Sequence, residues 1–103
     1  HWHESSNNPE SRKFVNKYRK KFKDNINPGA ALGYDAVMLL AEAIKKGGYN
    51  DSDNLRKAIS SIRHLKGVTG TISLGNDRNP LNKSGVIMKC GKSGPLYYKT
   101  ANY

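Results

Sequence analysis

From Ala30 to Ile44 the chain is apolar on nearly every side of a helix, with Asp35 and Glu42 as its only charged residues. A helix on the surface of a small protein carries an apolar stripe and leaves the rest of its circumference to water. A segment this uniformly apolar needs packing partners around most of its girth. The chain has 103 residues, of which 36% are hydrophobic and 25% charged. That length supports one modest core and no more. The helix therefore points to a chain that forms part of a larger body, with some of its walls encoded elsewhere.

The flanking segments carry ordinary helix and strand signals. Asn8-Pro9-Glu10 has a capping side chain, a proline suited to the first helical position and an acid at the positive end of the dipole. Phe14, Tyr18 and Phe22 then recur every four residues, predicting an amphipathic helix to about Lys23. Asp24 to Gly29 is a helix-breaking loop, and the apolar helix stops at Lys45-Lys46-Gly47-Gly48. Asp51-Ser52-Asp53 caps a third helix, in which Leu55, Ala58, Ile59 and Ile62 share a face and Gly67 marks the end. From Val68 to Leu74 the pattern alternates, predicting a strand with one buried face. Gly75 to Pro80 is a turn cluster, Val86 to Cys90 a second strand, and Leu96 to Lys99 a short third strand. Cys90 is expected to be a buried, inert thiol.

A net charge of +10, from eighteen Lys and Arg against eight acids, raises nucleic acid, an anionic membrane surface or acidic ligands as partners. Seven of the basic residues lie between Arg12 and Lys23, spread around the helix away from Phe14, Tyr18 and Phe22. Lysine dominates, base-reading side chains do not line one stripe, and a solvated face is the expected role. The single cysteine, Cys90, excludes an internal disulfide and a thiolate metal cluster. His1 and His3 flank Trp2 but lack further metal ligands nearby, and residues 1–7 read as a hinge remnant. Gly75 to Asn79 offers oxygen atoms without the acidic spacing of a calcium loop. No nucleophile has a recognisable base, and no glycine-rich phosphate loop follows a strand. The sequence thus predicts no enzyme, no cofactor and no metal.

The chain resembles the type I periplasmic substrate-binding proteins, specifically the branched-chain amino acid (Leu/Ile/Val) receptors of bacterial ABC importers. The likeness runs collinearly through Asn8-Pro9, Phe14 to Tyr18, Ala30 to Val37 and Asp53 to Ile59. It continues through Gly67 to Ser73, Asn79-Pro80 and Val86 to Lys89. Gly-Tyr-Asp-Ala in the apolar helix and Gly-Val-Thr-Gly at the strand are specific together and weak apart.

The resemblance implies an α/β fold class, here a partial lobe of a two-lobed receptor, with three helices followed by a short β meander. Such a receptor crosses between its lobes three times and closes on its ligand. Residues 1–7 would lie at one crossing, 8–74 would form a lobe segment, and 85–103 would hold the return crossing and C-terminal strands. The missing walls of the apolar helix would be a parallel sheet from the preceding half. The implied ligand is an amino acid bound only by the intact protein, and the implied partner is an ABC permease, in a periplasmic or extracellular, membrane-associated setting. Ala31, Leu32 and Tyr34, on the segment leading into the apolar helix, are the candidate ligand-binding residues. Alone, the chain is expected to self-associate or exchange strands. The competing expectations are a small basic nucleic-acid-binding module and a truncated remnant without activity of its own.

Overall fold

A computed structural model describes residues 2–102. Three helices, α1 (Pro9–Lys21), α2 (Pro28–Gly47) and α3 (Ser52–Ser60), precede four strands. The strands are β1 (Leu65–Gly67), β2 (Gly70–Ile72), β3 (Gly85–Gly91) and β4 (Gly94–Ala101). Each helix starts where a short polar side chain satisfies an orphan backbone donor. Asn8 Oδ1 accepts from the Glu10 amide at 3.0 Å, Asn27 Oδ1 from Gly29 at 2.7 Å, and Asp51 Oδ1 from Asp53 at 2.8 Å. Pro9 and Pro28 occupy first helical positions, where their missing N–H costs nothing.

The mixed α/β class expected from the sequence is observed, with the strands paired as two antiparallel hairpins, β1–β2 and β3–β4. Several boundaries differ from the sequence reading. Helix α1 stops at Lys21 because Phe22 turns to extended backbone while its N–H still bonds to the Tyr18 carbonyl. Helix α3 ends at Ser60 and does not reach Gly67. Arg63 Nη1 donates to the carbonyls of Ser60 at 2.7 Å and Ile62 at 2.9 Å, satisfying acceptors near the helix end. His64 then adopts a left-handed φ of 55°, which swings the chain into β1. Ile62 continues the apolar period and is 1% exposed, but it packs from coil. Val68 and Thr69, expected within a strand, form the two-residue turn that joins β1 to β2. Cys90, expected to be buried, is exposed on β3, because this hairpin has no layer packed over it.

Two apolar clusters hold the body. Trp2, Phe14, Val15, Ala31 and Val68 form one; Ala43, Ala58 and Ile62 form the other, between α2 and α3. The β1–β2 turn is gripped from two sides. The buried carboxylate of Asp35 accepts from the backbone N–H of Val68 at 2.7 Å and of Thr69 at 2.8 Å, and from the Thr69 hydroxyl at 2.7 Å. Asn8, while capping α1, donates its amide to the carbonyls of Gly67 at 2.8 Å and Val68 at 3.3 Å. This approach needs a bare backbone at position 67. A Cβ there would sit 2.8 and 2.9 Å from the two Asp35 oxygens and 2.9 Å from Ile72.

Much of α2 finds no partner among the described residues. Only Ala31, Asp35 and Ala43 are buried on it, while Leu32, Val37, Met38 and Leu40 are exposed. The β3–β4 hairpin projects from the body, giving extents of 51 × 33 × 18 Å. The radius of gyration is 15.4 Å, larger than the roughly 13 Å of a compact domain of this length. Tyr98 is the extra residue of a bulge, since Ile87 pairs with Lys99 and Met88 with Tyr97.

Asp35→Ala strands three buried donors and is expected to lower the unfolding free energy by about 3 kcal/mol. Gly67→Ala is expected to cost about 1–3 kcal/mol through the crowded Cβ. Urea denaturation checks both; an Asp35→Ala protein as stable as the original would mean that the grip contributes nothing.

Candidate functional site

A cleft of about 410 Å³ opens where three stretches converge: residues 2–8, the β1–β2 turn with the start of β2, and the ends of β3 and β4. Its polar lining is built of hydroxyls, amides and the His3 imidazole. Ser6, Thr71, Ser84, Tyr97 and Thr100 supply hydroxyls, and Asn7, Asn8 and Asn102 supply amides. No carboxylate, lysine or arginine lines it. Tyr97 and Thr100 hydroxyls are bonded to one another at 3.0 Å. The His3 ring stacks on Tyr97 with centroids 5.4 Å apart and planes at 19°, tying the N-terminal segment to β4. His3 Nδ1 accepts from the Ser5 amide at 3.2 Å. Such a lining suits hydrogen bonding to a small polar molecule or to solvent.

Trp2 forms the floor. It is 6% exposed, meets Phe14 edge-on at 6.0 Å and donates its indole N–H to the buried Ser11 hydroxyl at 2.9 Å. A residue read from sequence as part of a hinge remnant is thus also a core residue. The sequence signal was its isolation as the only tryptophan, a residue type that buries large area once its N–H has a partner.

Behind the cleft, Lys83 Nζ donates to the Thr69 hydroxyl at 2.7 Å, and that hydroxyl bonds onward to Asp35. The chain Lys83–Thr69–Asp35 fastens the segment leading into β3 to the helical body. Partial burial lowers the Lys83 ammonium from the usual 10.5, and the nearby Asp35 charge acts in the opposite sense.

The three candidate ligand residues lie elsewhere, on the first turns of α2. Ala31 is fully buried in the first apolar cluster. Leu32 and Tyr34 are 42% and 40% exposed on the open surface of α2, and the Tyr34 ring lies 5.3 Å from that of Phe14. None of the three lines the cleft. Of the paired histidines, His1 lies outside the described residues. The Gly75–Asn79 segment is a self-satisfied turn: Asp77 accepts from the Asn79 amide at 3.1 Å and side chain at 2.9 Å. Those bonds, the side-chain one first, hold the Asp77 carboxyl below the usual 3.8.

The model of a protein family described as periplasmic binding protein matches residues 1–95. No curated protein matches the chain significantly. Among solved structures, the chain is similar to a leucine binding protein, LivK, from Thermotoga maritima, with 29% identity, a TM-score of 0.85 and 99% of this chain covered. An ABC transporter substrate-binding protein from Desulfitobacterium hafniense superposes with a TM-score of 0.81 over 94% of the chain at 24% identity. A solute-binding protein of an ABC transporter from R. palustris, in complex with benzoate, gives 0.81 over 98% at 19% identity. The last two likenesses concern the fold. The chain spans 28–29% of the length of these three proteins.

Lys83 gives the site a pH signature. A lysine with a lowered folded value binds its proton less tightly in the folded than in the unfolded state. The folded state therefore gains relative stability as pH rises through the interval between the lowered value and 10.5. The unfolding free energy of the protein minus that of Lys83→Met is expected to increase as the pH is raised toward 10.5 in urea titrations. A difference that stays flat or falls would contradict the assignment.

Proposed function

The chain belongs to the periplasmic binding protein family, and from that premise we propose that it is a segment of an extracytoplasmic receptor that captures a branched-chain or related amino acid for an ABC importer. Its similar structures are solute-binding proteins, not enzymes. The observation that carries the reading is the meeting of residues 2–8 with β3–β4 around one cleft. Two segments far apart in sequence lie side by side at the edge of the body, as strands that cross between two lobes do. In this reading residues 1–7 and 85–103 belong to the crossings and 8–74 to one lobe. The His3–Tyr97 stack and the Lys83–Thr69–Asp35 chain then sit at the pivot.

The ligand class draws support from the likeness to the leucine binding protein. It also fits the apolar character of α2 near Leu32 and Tyr34, which are proposed to border the ligand space while Ala31 supports them from beneath. Apolar walls read a side chain, and prearranged donors and acceptors from the remainder of the receptor hold the charged ends. Closure of the lobes would present the loaded form to the permease. The setting is periplasmic or extracellular, at the membrane through the permease; among the described residues no helix is long and apolar enough to cross a membrane.

Calorimetric titration of the complete receptor is expected to show binding of leucine, isoleucine or valine and none of benzoate. Binding of benzoate alone would overturn the amino-acid class, and binding of neither would remove the ligand reading. The 103-residue chain expressed alone is expected to bind at least about a hundredfold more weakly, because a partial pocket loses most of its contacts. It should also self-associate through the open face of α2, with strand exchange as one route. Sedimentation should show the association reduced in Val37→Lys/Met38→Lys; a stable compact monomer would refute it.

A further inference from the structure

The helices share out charge unevenly. Between Pro9 and Lys23 stand seven basic residues and one acid, Glu10, whereas the remaining chain carries eleven basic residues and seven acids. The excess is therefore concentrated on one element. At 100° per residue, Ser11, Phe14, Val15 and Tyr18 turn α1 toward the core. Arg12, Lys13, Lys17, Arg19, Lys20 and Lys21 then fan over the whole opposite side, all exposed. Lys13 is paired with Glu10 and Arg19 with Glu4, each at 2.9 Å. Lys17, Lys20, Lys21 and Lys23 have no acidic partner within salt-bridge distance among the described residues. Just past the helix end, Phe22 is 48% exposed and its ring lies 4.8 Å from that of Tyr18 on the core-facing side, with the Lys21 ammonium 5.6 Å from it. Beside it, Arg19, Phe22, Lys23, Asp24 and Asn25 enclose a concavity of about 540 Å³.

We propose that this face of α1 is a docking surface for an anionic phospholipid bilayer, with the four unpaired lysines over the headgroups. Compact ammonium charges on a convex helix match a diffuse lattice of phosphates. Nucleic acid fits less well. Sequence reading favours guanidinium forks, and here both arginines are engaged, Arg12 with Asn7 and Arg19 with Glu4. Stacking on single strands wants a row of exposed rings, and only Phe22 of the α1 aromatics stands in the exposed class. The inference goes beyond the ligand reading and does not need it.

The test is co-sedimentation of the protein with vesicles of phosphatidylglycerol and phosphatidylcholine, against vesicles of phosphatidylcholine alone. Binding should require phosphatidylglycerol and should collapse between about 10 mM and about 150 mM salt, as the screening length falls from about 30 to about 8 Å. At about fivefold per lysine, Lys17→Gln/Lys20→Gln/Lys21→Gln/Lys23→Gln should bind at least about a hundredfold more weakly. Removing as many charges elsewhere, in Lys45→Gln/Lys46→Gln/Lys57→Gln/Lys92→Gln, should cost less than about tenfold. Equal losses in the two quadruple variants would reduce the effect to net charge and overturn the surface. So would absence of phosphatidylglycerol-dependent binding at low salt, or tighter binding to duplex or single-stranded DNA than to the vesicles.

Discussion

The turn between Gly67 and Gly70 is the joint on which the arrangement depends. Its backbone donors are taken by Asp35 from α2, and its backbone acceptors by Asn8 at the head of α1. Through Thr69 the same joint reaches Lys83 and the segment that leads to β3. A buried carboxylate is tolerable only where hydrogen bonds replace its lost hydration. Here three donors do so, and none of the buried side-chain polar atoms described lacks a partner. Because all three donors belong to a two-residue turn, one side chain fixes the position of the hairpin on the helices. Gly67 is the condition for that closeness, since any Cβ would occupy space already held by the carboxylate.

The sequence made local features legible and long-range ones much less so. Helix starts at Asn8 and Asp51 follow from side chains that act within three residues of themselves, whereas Asn27, placed in a loop, also caps a helix that begins at Pro28. Asp35 reads as a polar interruption of an apolar helix, because its partners lie 33 and 34 residues away. Ile62 kept the helical period after the helix had ended, since burial and helix share a spacing until a left-handed residue such as His64 intervenes. Cys90 sits in an apolar strand pattern that normally signals burial, but a lone hairpin has no covering layer. The cleft was illegible as a site because its walls come from residues 2–8, 69–71 and 84–102, with no motif linking them.

The apolar excess of α2 had a clearer meaning in the sequence than any single residue. Folding the chain buries Ala31, Asp35 and Ala43 on one side of the helix and leaves Leu32, Val37, Met38 and Leu40 open. Val37, at 66% exposed, marks the centre of the open stretch. Burial of such a surface is worth roughly 25 cal/mol per Å², so whatever covers it contributes stability that these residues cannot supply to one another. The charged face of α1 behaves in the opposite manner. It repels itself at low salt and gains from any anionic surface brought near it.

Trp2 brings the optics of the protein into its mechanics. The chain's only tryptophan is locked in the core by Ser11 and Phe14, yet it also forms the floor of the cleft between the N-terminal segment and β4. An indole in that position experiences the dielectric of the interior on one side and of the cleft on the other. Rearrangement of the two terminal segments therefore changes the environment of the chromophore directly. The emission of this one side chain is a built-in gauge of how residues 2–8 sit against β4.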